Sequence, residues 1–359
     1  SRIGGMSPAA ASEWRKKRCR FRKKNFQFSS PASKGRHLRT HMASPARPPP
    51  PDAASLDRSR SPLVGAVRFS ENFWFEAPSG GWRNAYSWLP PEPVPLRAVI
   101  ILFHGYGEHA LRYQPLGEAW AQQGLAVYAM DHARHGHNLD NTGFTGMRRL
   151  PFANLVGDAV GFIEYVHGRH AAAPFFLMGH SMGGLVALLA ALRVQERHRS
   201  LGGFRGMVLS APALRVGGQG LVPRHSVYSP AWQAITRLRD TLSAGFWPNT
   251  GAPTAQCTTT KGFGEANDAD ERHFGGMICA GWGVQFVDAS EYALSRAAEV
   301  RCPFYICHGG ADVVVLPAGT AALHARASTP AADKEKVVYP SLLHEALNEP
   351  QRHEVMADM

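Results

Sequence analysis

The stretch FFLMGHSMGGLVALLAA at residues 175–191 constrains the fold more than any other part of this chain. Within it, GHSMG at 179–183 fits the pattern G-x-S-x-G. That pattern is typical of a serine held on a sharp turn between a strand and a helix, where glycines let the backbone approach its neighbours closely. Five letters are weakly specific on their own, and an ordinary structural turn is the alternative for Ser181.

The flanking segments decide between these two interpretations. Residues 175–178 form a short apolar run after Pro174, which predicts a buried strand. Residues 185–197 are rich in helix formers and gain charge only at their far end. Strand, tight turn and helix is the arrangement that the motif requires, so we predict that Ser181 is a nucleophile.

The rest of the chain, from residue 63 onward, alternates predicted strands with helical stretches. This alternation predicts a mostly parallel sheet with crossovers on both faces, in which ligands gather at the carboxyl ends of the strands. His104, Asp131, Ser181 and Asp312 all fall at such ends. The predicted strands besides the one at 175–178 are 67–75 and 82–89, which form an opening hairpin, and 97–105, 125–132, 205–212, 302–312 and 335–340.

A nucleophilic serine needs a histidine base and an acid that orients the histidine. In folds with this turn the chain order is serine, acid, histidine. Asp312, in HGGAD just past a strand, is the best acid, and His344, just past the last strand, is the best base. The competing candidates are acids in a polar insertion and histidines elsewhere: Asp240, Asp268, Asp270, Asp288, His308 and His353.

Two backbone N–H groups are expected to stabilise the oxyanion. Met182, the residue after the nucleophile, supplies one. Tyr106 supplies the other from HGYGEH at residues 104–109, which we call the oxyanion loop. Gly105 and Gly107 let this loop approach the substrate carbonyl.

Residues from about 64 to the end resemble the monoglyceride lipase and lysophospholipase branch of the α/β-hydrolase superfamily. The resemblance is carried by FHGYGEHALRYQPLGEAWAQQGLAVYAMDHARHGH, GHSMGG, HGGAD and LLHEALNEP. It implies an α/β-hydrolase fold, with a mostly parallel eight-stranded sheet, helices on both faces and a cap insertion. It also implies a serine hydrolase that cleaves monoacyl lipid esters, and this chemistry needs no cofactor.

The same resemblance assigns the polar, glycerol end of the substrate to Glu108 and Arg112. An acid and a base four residues apart equally fit a simple ion pair on a helix. One departure from the family lies in DHARHG at 131–136, where Arg134 replaces a usual glycine. His132, His135 and His137 lack a carboxylate or cysteine partner at metal-ligand spacing, so we predict no metal site there.

The net charge of +11 belongs to the beginning of the chain. Residues 1–62 carry 15 Lys and Arg against three Asp and Glu, so the remainder is close to neutral. This basic segment is rich in proline and serine, which predicts a disordered tail rather than a nucleic-acid-binding domain. Five cysteines without metal-ligand spacing, and no long apolar run, indicate a cytoplasmic protein with at most peripheral membrane contact.

The region at about 213–275 interrupts the strand–helix alternation and is expected to form the cap. Its apolar side chains provide either a mouth that admits an acyl chain from a membrane, or simple packing of the cap on the core. The alternatives to a monoacylglycerol hydrolase are a lysophospholipase, a small-ester esterase or an acyltransferase on the same residues, and a non-enzymatic binding protein. No oligomeric state is predicted. The side chains of the expected mouth are Trp232, Ile235, Phe246 and Trp247.

Overall fold

The structure is a computed structural model that describes five ranges of the chain and three short pieces. Nearly all of the predicted tail at 1–62, and most of the predicted cap with its four mouth side chains, lie outside the described residues. The five ranges are 67–138, 150–196, 201–217, 256–273 and 278–359, and the pieces are residue 48, residues 233–234 and residues 248–249.

Strands alternate with helices along the described part of the chain. The first strand begins at Glu71 rather than at the predicted residue 67. In chain order the described strands are β1 (Glu71–Glu76), β2 (Trp82–Trp88), β3 (Ala98–Phe103), β4 (Leu125–Met130), β5 (Phe175–His180), β6 (Phe204–Ser210), β7 (Pro248–Asn249), β8 (Ile278–Cys279), β9 (Phe304–Gly309) and β10 (Lys334–Tyr339).

Eight of these strands form one sheet in the order β1-β2-β4-β3-β5-β6-β9-β10. β1 and β2 make an antiparallel hairpin, and β2 is also antiparallel to β4. All other neighbours in this sheet are parallel. The prediction of a mostly parallel eight-stranded sheet opened by a hairpin is therefore confirmed. β7 and β8 pair separately as a short antiparallel ladder.

Proline and glycine mark the two ends of the first helix. In the first helix, Pro115 occupies the first turn, where a missing N–H removes no helical hydrogen bond. Gly124 follows this helix with a left-handed φ of 85°. No helix in the described ranges combines the length and apolar character needed to cross a bilayer. The described α-helices are α1 (Gln114–Ala121), α2 (Phe152–Arg169), α3 (Met182–Glu196), α4 (Phe263–Asp268), α5 (Ala280–Ser295), α6 (Pro317–Arg326) and α7 (Arg352–Asp358).

Helices cover both faces of the sheet. All six residues of β3 are buried, as expected for a strand sandwiched between two layers. Ile100 and Leu102 pack with Leu116 of α1 on one face. On the other face the ring of Phe175, in β5, lies 5.5 Å from that of His167 in α2.

The strand register brings the carboxyl ends of the parallel strands to one edge. Phe103 pairs with Met130 of β4 and with Gly179 of β5. Ser210, the last residue of β6, pairs with His180 and with Cys307. The four side chains predicted at strand ends, His104, Asp131, Ser181 and Asp312, therefore follow strands that end at the same edge of the sheet.

Candidate active site

Ser181 lies on the turn between β5 and α3. Its φ of 52° is left-handed, a conformation that costs a non-glycine residue about 1–2 kcal/mol. The turn is held by the Ser181 N–H, which donates to the Ser210 carbonyl at 2.9 Å, and by the Ser181 carbonyl, which accepts from Ala213 N–H at 2.9 Å. A strained backbone at a residue with a polar side chain is typical of functional sites.

The glycines of the motif are required by close backbone contacts. A Cβ on Gly179 would overlap the carbonyl group of Gly183, and a Cβ on Gly183 would overlap the carbonyl oxygen of Phe103. These contacts press the start of α3 against the ends of β3 and β5. The sharp strand-to-helix turn predicted from the sequence is therefore present.

Ser181, His344 and Asp312 form a continuous hydrogen-bonded chain. The Ser181 Oγ lies 2.9 Å from His344 Nε2. On the other side of the ring, His344 Nδ1 lies 2.7 Å from Asp312 Oδ2. Because a carboxylate only accepts, Nδ1 carries the proton and the lone pair of Nε2 faces the serine. The structure thus brings together the three residues that the sequence analysis selected, 163 residues apart at their widest.

Asp312 is held ionised and in a fixed orientation. Its Oδ1 accepts hydrogen bonds from the backbone N–H groups of Val314 at 2.8 Å and Val315 at 2.9 Å. Burial raises the pKa of this carboxyl, but the charge of His344 and the hydrogen bonds from His308 and His344 outweigh burial and hold the pKa below its usual range. A fixed anion beside the imidazole stabilises positive charge on it.

His308, a competing base in the sequence analysis, supports the acid instead. Its Nε2 lies 3.1 Å from Asp312 Oδ2 and 2.9 Å from the Val315 carbonyl, and both of these atoms are acceptors. The proton therefore sits on Nε2, and Nδ1 accepts from the Thr320 hydroxyl at 2.7 Å. The sequence missed this role because His308 lies inside β9 rather than after it.

The oxyanion loop passes directly beside the serine. A Cβ on Gly105 would lie 3.3 Å from the Cβ of Ser181. The ring of Tyr106 packs 5.2 Å from that of Trp282 and 5.5 Å from that of His135. Met182 is the first residue of α3, so its N–H has no acceptor within the helix. Both predicted oxyanion donors thus belong to segments that adjoin Ser181.

Glu108 and Arg112 form a buried ion pair, the alternative that the spacing left open. Arg112 Nε lies 3.5 Å from Glu108 Oε2, and both side chains are 4% exposed. Glu108 Oε1 accepts hydrogen bonds from Gly105 N–H and, at 2.7 Å, from the Tyr113 hydroxyl. Arg112 stacks 5.0 Å from the Phe263 ring, and its buried Nη2 has no hydrogen-bond acceptor in the described residues.

The loop after β4 is organised by Asp131. Its Oδ1 accepts from Ala110 N–H and its Oδ2 from His137 N–H, each at 2.8 Å. A Cβ on Gly136 would overlap this carboxylate. Arg134, which replaces the family's usual glycine, takes a left-handed φ of 68°. The loop thus keeps a glycine-like backbone at that position despite the substitution.

Three buried histidines, His104 of the oxyanion loop and two from the loop after β4, pack against one another. His104 Nε2 accepts from His132 N–H at 2.9 Å, so its Nδ1 carries the proton and donates to the Gly105 carbonyl at 2.7 Å. The ring centroid of His104 lies 4.4 Å from that of His132 and 5.4 Å from that of His135. Burial lowers the pKa of His132 to about 3 and that of His135 to about 4, and it holds that of His104 well below its usual value.

A second charged pair, His180 with Glu345, adjoins the serine and its histidine. His180 Nε2 lies 3.5 Å from Glu345 Oε1, and the His180 ring centroid lies 5.0 Å from that of His344. Burial lowers the pKa of His180, but the charge of Glu345 outweighs it and the pKa is raised. The sequence analysis missed this pair because His180 occupies a variable position of the motif.

Two contacts join residues 256–273, within the predicted cap, to the active-site loops. His109 Nε2, in the oxyanion loop, lies 2.7 Å from Asp270 Oδ2, and both side chains are buried. Glu349, shortly after His344, accepts from the Thr259 N–H at 3.0 Å and from its hydroxyl. Asp270, a competing acid in the sequence analysis, therefore holds its own segment against the oxyanion loop. Its partner lies 161 residues away, and no local signal reveals it.

Comparison with known proteins agrees with this geometry. The family model described as serine aminopeptidase, S33 (Hydrolase_4), matches residues 94–351. The chain belongs to this family. Its α/β-hydrolase fold, and the resemblance noted in the sequence, are thereby confirmed. The matched range begins before the oxyanion loop and ends after His344, so it contains every candidate site residue.

Two relatives carry lipase names, and a solved structure has the same fold. The chain is 29% identical over 300 residues to the monoacylglycerol lipase of Mycolicibacterium smegmatis, covering 83% of this chain and 97% of that protein. It is 25% identical to the monoglyceride lipase of Rattus norvegicus, covering 69% and 75%. A soluble variant of monoglyceride lipase from Saccharomyces cerevisiae superimposes with a TM-score of 0.64 at 21% identity, covering 82% and 94%. The protein is a carboxylic ester hydrolase.

Proposed function

We propose that the protein hydrolyses monoacyl lipid esters, with conversion of monoacylglycerol to glycerol and fatty acid as the principal reaction. The observation that carries this proposal is the hydrogen-bonded chain of Ser181, His344 and Asp312 on a strained turn at the edge of the sheet. The names of the relatives in the mycobacterium, rat and yeast support the lipid substrate.

The reaction follows from the orientation of the imidazole. Ser181 Oγ attacks the ester carbonyl as its proton passes to His344 Nε2. The protonated ring then gives this proton to the leaving alcohol, which leaves an acyl group on the serine. Water, deprotonated by the same nitrogen, attacks the acyl-enzyme and releases the fatty acid. Asp312 stabilises the positive ring throughout, and no cofactor takes part.

The negative oxygen of each tetrahedral intermediate needs hydrogen-bond donors. We assign this role to the backbone N–H groups of Tyr106, in the oxyanion loop, and Met182, at the start of α3. Losing one such donor costs about 10²–10³ in kcat in related chemistry. Since both donors are main-chain atoms, their positions depend on the surrounding residues rather than on their own side chains.

The polar end of the substrate is assigned to Arg112, oriented by Glu108. Arg112 is buried and keeps an Nη2 without an acceptor among the described residues, and such a group gains a hydrogen bond when a glycerol hydroxyl arrives. The acyl chain would enter from a membrane surface through the cap, as a peripheral contact. A cytoplasmic location is part of the proposal, and the unbridged thiols of Cys302 and Cys307 are consistent with it.

The proposal is tested with a fluorophosphonate probe and with fatty-acid release from 1-oleoylglycerol and 2-arachidonoylglycerol. Wild-type protein and Ser328→Ala, an exposed serine bonded to the Ala298 carbonyl, should label and release fatty acid. Ser181→Ala should do neither. Labelling without glyceride cleavage would move the assignment to lysophospholipids or short esters. Labelling that survives in Ser181→Ala would overturn the serine assignment.

A further inference from the structure

The oxyanion loop is tied to the rest of the protein by one buried carboxylate. Glu108 is 3% exposed, and its Oε1 accepts two hydrogen bonds at once. One comes from the Gly105 N–H, three residues earlier, and the other from the Tyr113 hydroxyl at 2.7 Å. Burial and the neighbouring carboxylate raise the pKa of Tyr113, so its hydroxyl remains a neutral donor. Both hydrogen bonds that Oε1 accepts therefore come from the protein itself.

These bonds determine how the following peptide is oriented. Glu108 holds the N–H of Gly105, and His104 Nδ1 holds the carbonyl of the same residue at 2.7 Å. In a planar trans peptide the N–H points away from the carbonyl oxygen. The N–H of Tyr106 must therefore point away from the His104 ring.

Gly105 is also closely packed where a side chain would stand. A Cβ added to it would lie 2.6 Å from Glu108 Oε1 and 3.3 Å from the Cβ of Ser181. The carboxylate and the nucleophile thus both lie close to the side of Gly105 where a Cβ would stand. The position of Gly105 relative to Ser181 is therefore linked to the position of the Glu108 carboxylate.

We propose that Glu108 is a positioning residue, whose carboxylate fixes the oxyanion loop so that the Tyr106 N–H stabilises the oxyanion formed at Ser181. This inference rests on the proposed function and deepens it. It gives the two oxygens of Glu108 different roles. Oε2 orients Arg112 for the polar end of the substrate, and Oε1 fixes the oxyanion loop for the chemical step with any ester.

The two roles predict different losses with two substrates. A residue that only recognises glycerol matters for 1-oleoylglycerol and has no effect on p-nitrophenyl butyrate, which has no glycerol. A residue that positions the oxyanion loop matters for both, and it lowers kcat rather than raising KM, because the oxyanion exists only after attack.

The test measures kcat and KM with both esters for Glu108→Ala, Glu108→Gln and Glu118→Ala, a partly exposed glutamate of α1 that serves as the charge control. Glu108→Ala is expected to lower kcat about 100-fold on both esters with little change in KM for p-nitrophenyl butyrate. Glu108→Gln keeps an oxygen that can accept both hydrogen bonds, and it should recover most of kcat on p-nitrophenyl butyrate.

Removing Glu108 alone leaves a buried arginine without its anion, which can unfold the protein. Glu108→Met is therefore also introduced into an Arg112→Met background, so that the double variant carries neither charge of the pair. Relative to Arg112→Met, the double variant should lose kcat on p-nitrophenyl butyrate by a similar factor. Circular dichroism and the urea midpoint establish that each variant is folded.

The inference is overturned if folded Glu108→Ala, or the folded double variant relative to Arg112→Met, retains its kcat on p-nitrophenyl butyrate. A wild-type protein that cleaves p-nitrophenyl butyrate and leaves monoacylglycerol intact would contradict the lipid assignment, and the comparison on p-nitrophenyl butyrate would still decide the role of Glu108. Wild-type protein inactive on every ester would remove the proposed function and this inference together.

Discussion

His109 and Asp270 join the oxyanion loop to residues 256–273, within the predicted cap, through a buried hydrogen bond of 2.7 Å between Nε2 and Oδ2. Burial raises the pKa of Asp270, but the hydrogen bond and charge of His109 outweigh it and lower the pKa. The carboxylate also accepts from the Arg272 N–H at 2.9 Å and so fixes its own segment. The position of this segment is therefore coupled to the loop beside Ser181.

Asp270→Asn should loosen this coupling. The amide can still accept one hydrogen bond, but it loses the charge that pairs with His109, and we expect the free energy of unfolding to fall by about 1–3 kcal/mol. Because the folded pKa of Asp270 is lowered, its contribution is present at neutral pH and is lost only as the pH falls through that folded value. Urea unfolding at neutral pH measures the effect.

The matched control for this variant is Asp333→Asn, which alters an exposed aspartate at the surface. It should leave stability unchanged, since an exposed charge contributes little. Equal stabilities for the two variants would show that the His109–Asp270 contact does not stabilise this segment. If the acyl chain enters through the cap as proposed, hydrolysis of 1-oleoylglycerol should fall more in Asp270→Asn than hydrolysis of p-nitrophenyl butyrate.

Asp312→Asn should abolish most of the activity while the fold is kept. Because Asp312 Oδ1 accepts from two backbone N–H groups, the amide oxygen of asparagine should take that place, and its NH2 group would face His344 Nδ1. An NH2 group cannot accept from a protonated Nδ1 and offers no charge to the imidazolium, so kcat should fall by about 10³–10⁴-fold. The rate of fluorophosphonate labelling of Ser181 should fall in parallel. Asp333→Asn again provides the control. A variant that labels at the wild-type rate would assign the orienting role to another acid.

The sequence predicts the triad because its evidence is local. Ser181 and Asp312 each follow an apolar strand within a short motif, and His344 lies just past the last strand, so each can be placed at a strand end without knowledge of the tertiary structure. Chain order then links them. The eight-stranded sheet is predictable for the same reason, since strand and helix periodicities are properties of short segments.

The contacts that support the triad are not predictable in this way. Each of these contacts joins segments that are 90 to 165 residues apart. They are the His109–Asp270 bond, the His180–Glu345 pair and the bonds from Thr259 to Glu349. Nothing in either segment marks its partner. Arg134 shows the opposite case: the sequence indicates a departure from the family, and the backbone nevertheless takes the left-handed conformation that a glycine would adopt more easily.

The buried histidines should make stability fall in mild acid. The pKa values of His132, about 3, and His135, about 4, lie below the unfolded value of about 6.5. Between these values the two histidines are protonated in the unfolded chain and neutral in the folded protein. The free energy of unfolding should therefore decrease as the pH falls below about 6.5, by up to about 1.4 kcal/mol per pH unit for each histidine. Urea unfolding between about pH 7.5 and about pH 5 measures this slope.

Replacing one histidine should flatten that slope. His132→Leu removes one group that the folded protein keeps neutral, so the number of protons taken up on unfolding should fall by about one. His353→Leu, at an exposed position in α7, is the control and should leave the slope unchanged. If His132→Leu and wild type have the same slope, proton uptake at other groups drives the acid destabilisation.

Two glycines in α2 should respond to alanine in opposite directions. A Cβ on Gly157 would meet no atom within 4 Å, whereas one on Gly161 would overlap the ring of Pro78 and lie 3.4 Å from Phe75. Gly157→Ala should stabilise the protein by about 0.5–1 kcal/mol, because alanine loses less backbone entropy in a helix. Gly161→Ala gains the same propensity but must displace the turn between β1 and β2, so its free energy of unfolding should fall by about 1–3 kcal/mol. Urea unfolding of the pair separates helix propensity from packing within one helix, and equal stabilisation by both would mean that Pro78 moves aside at no cost.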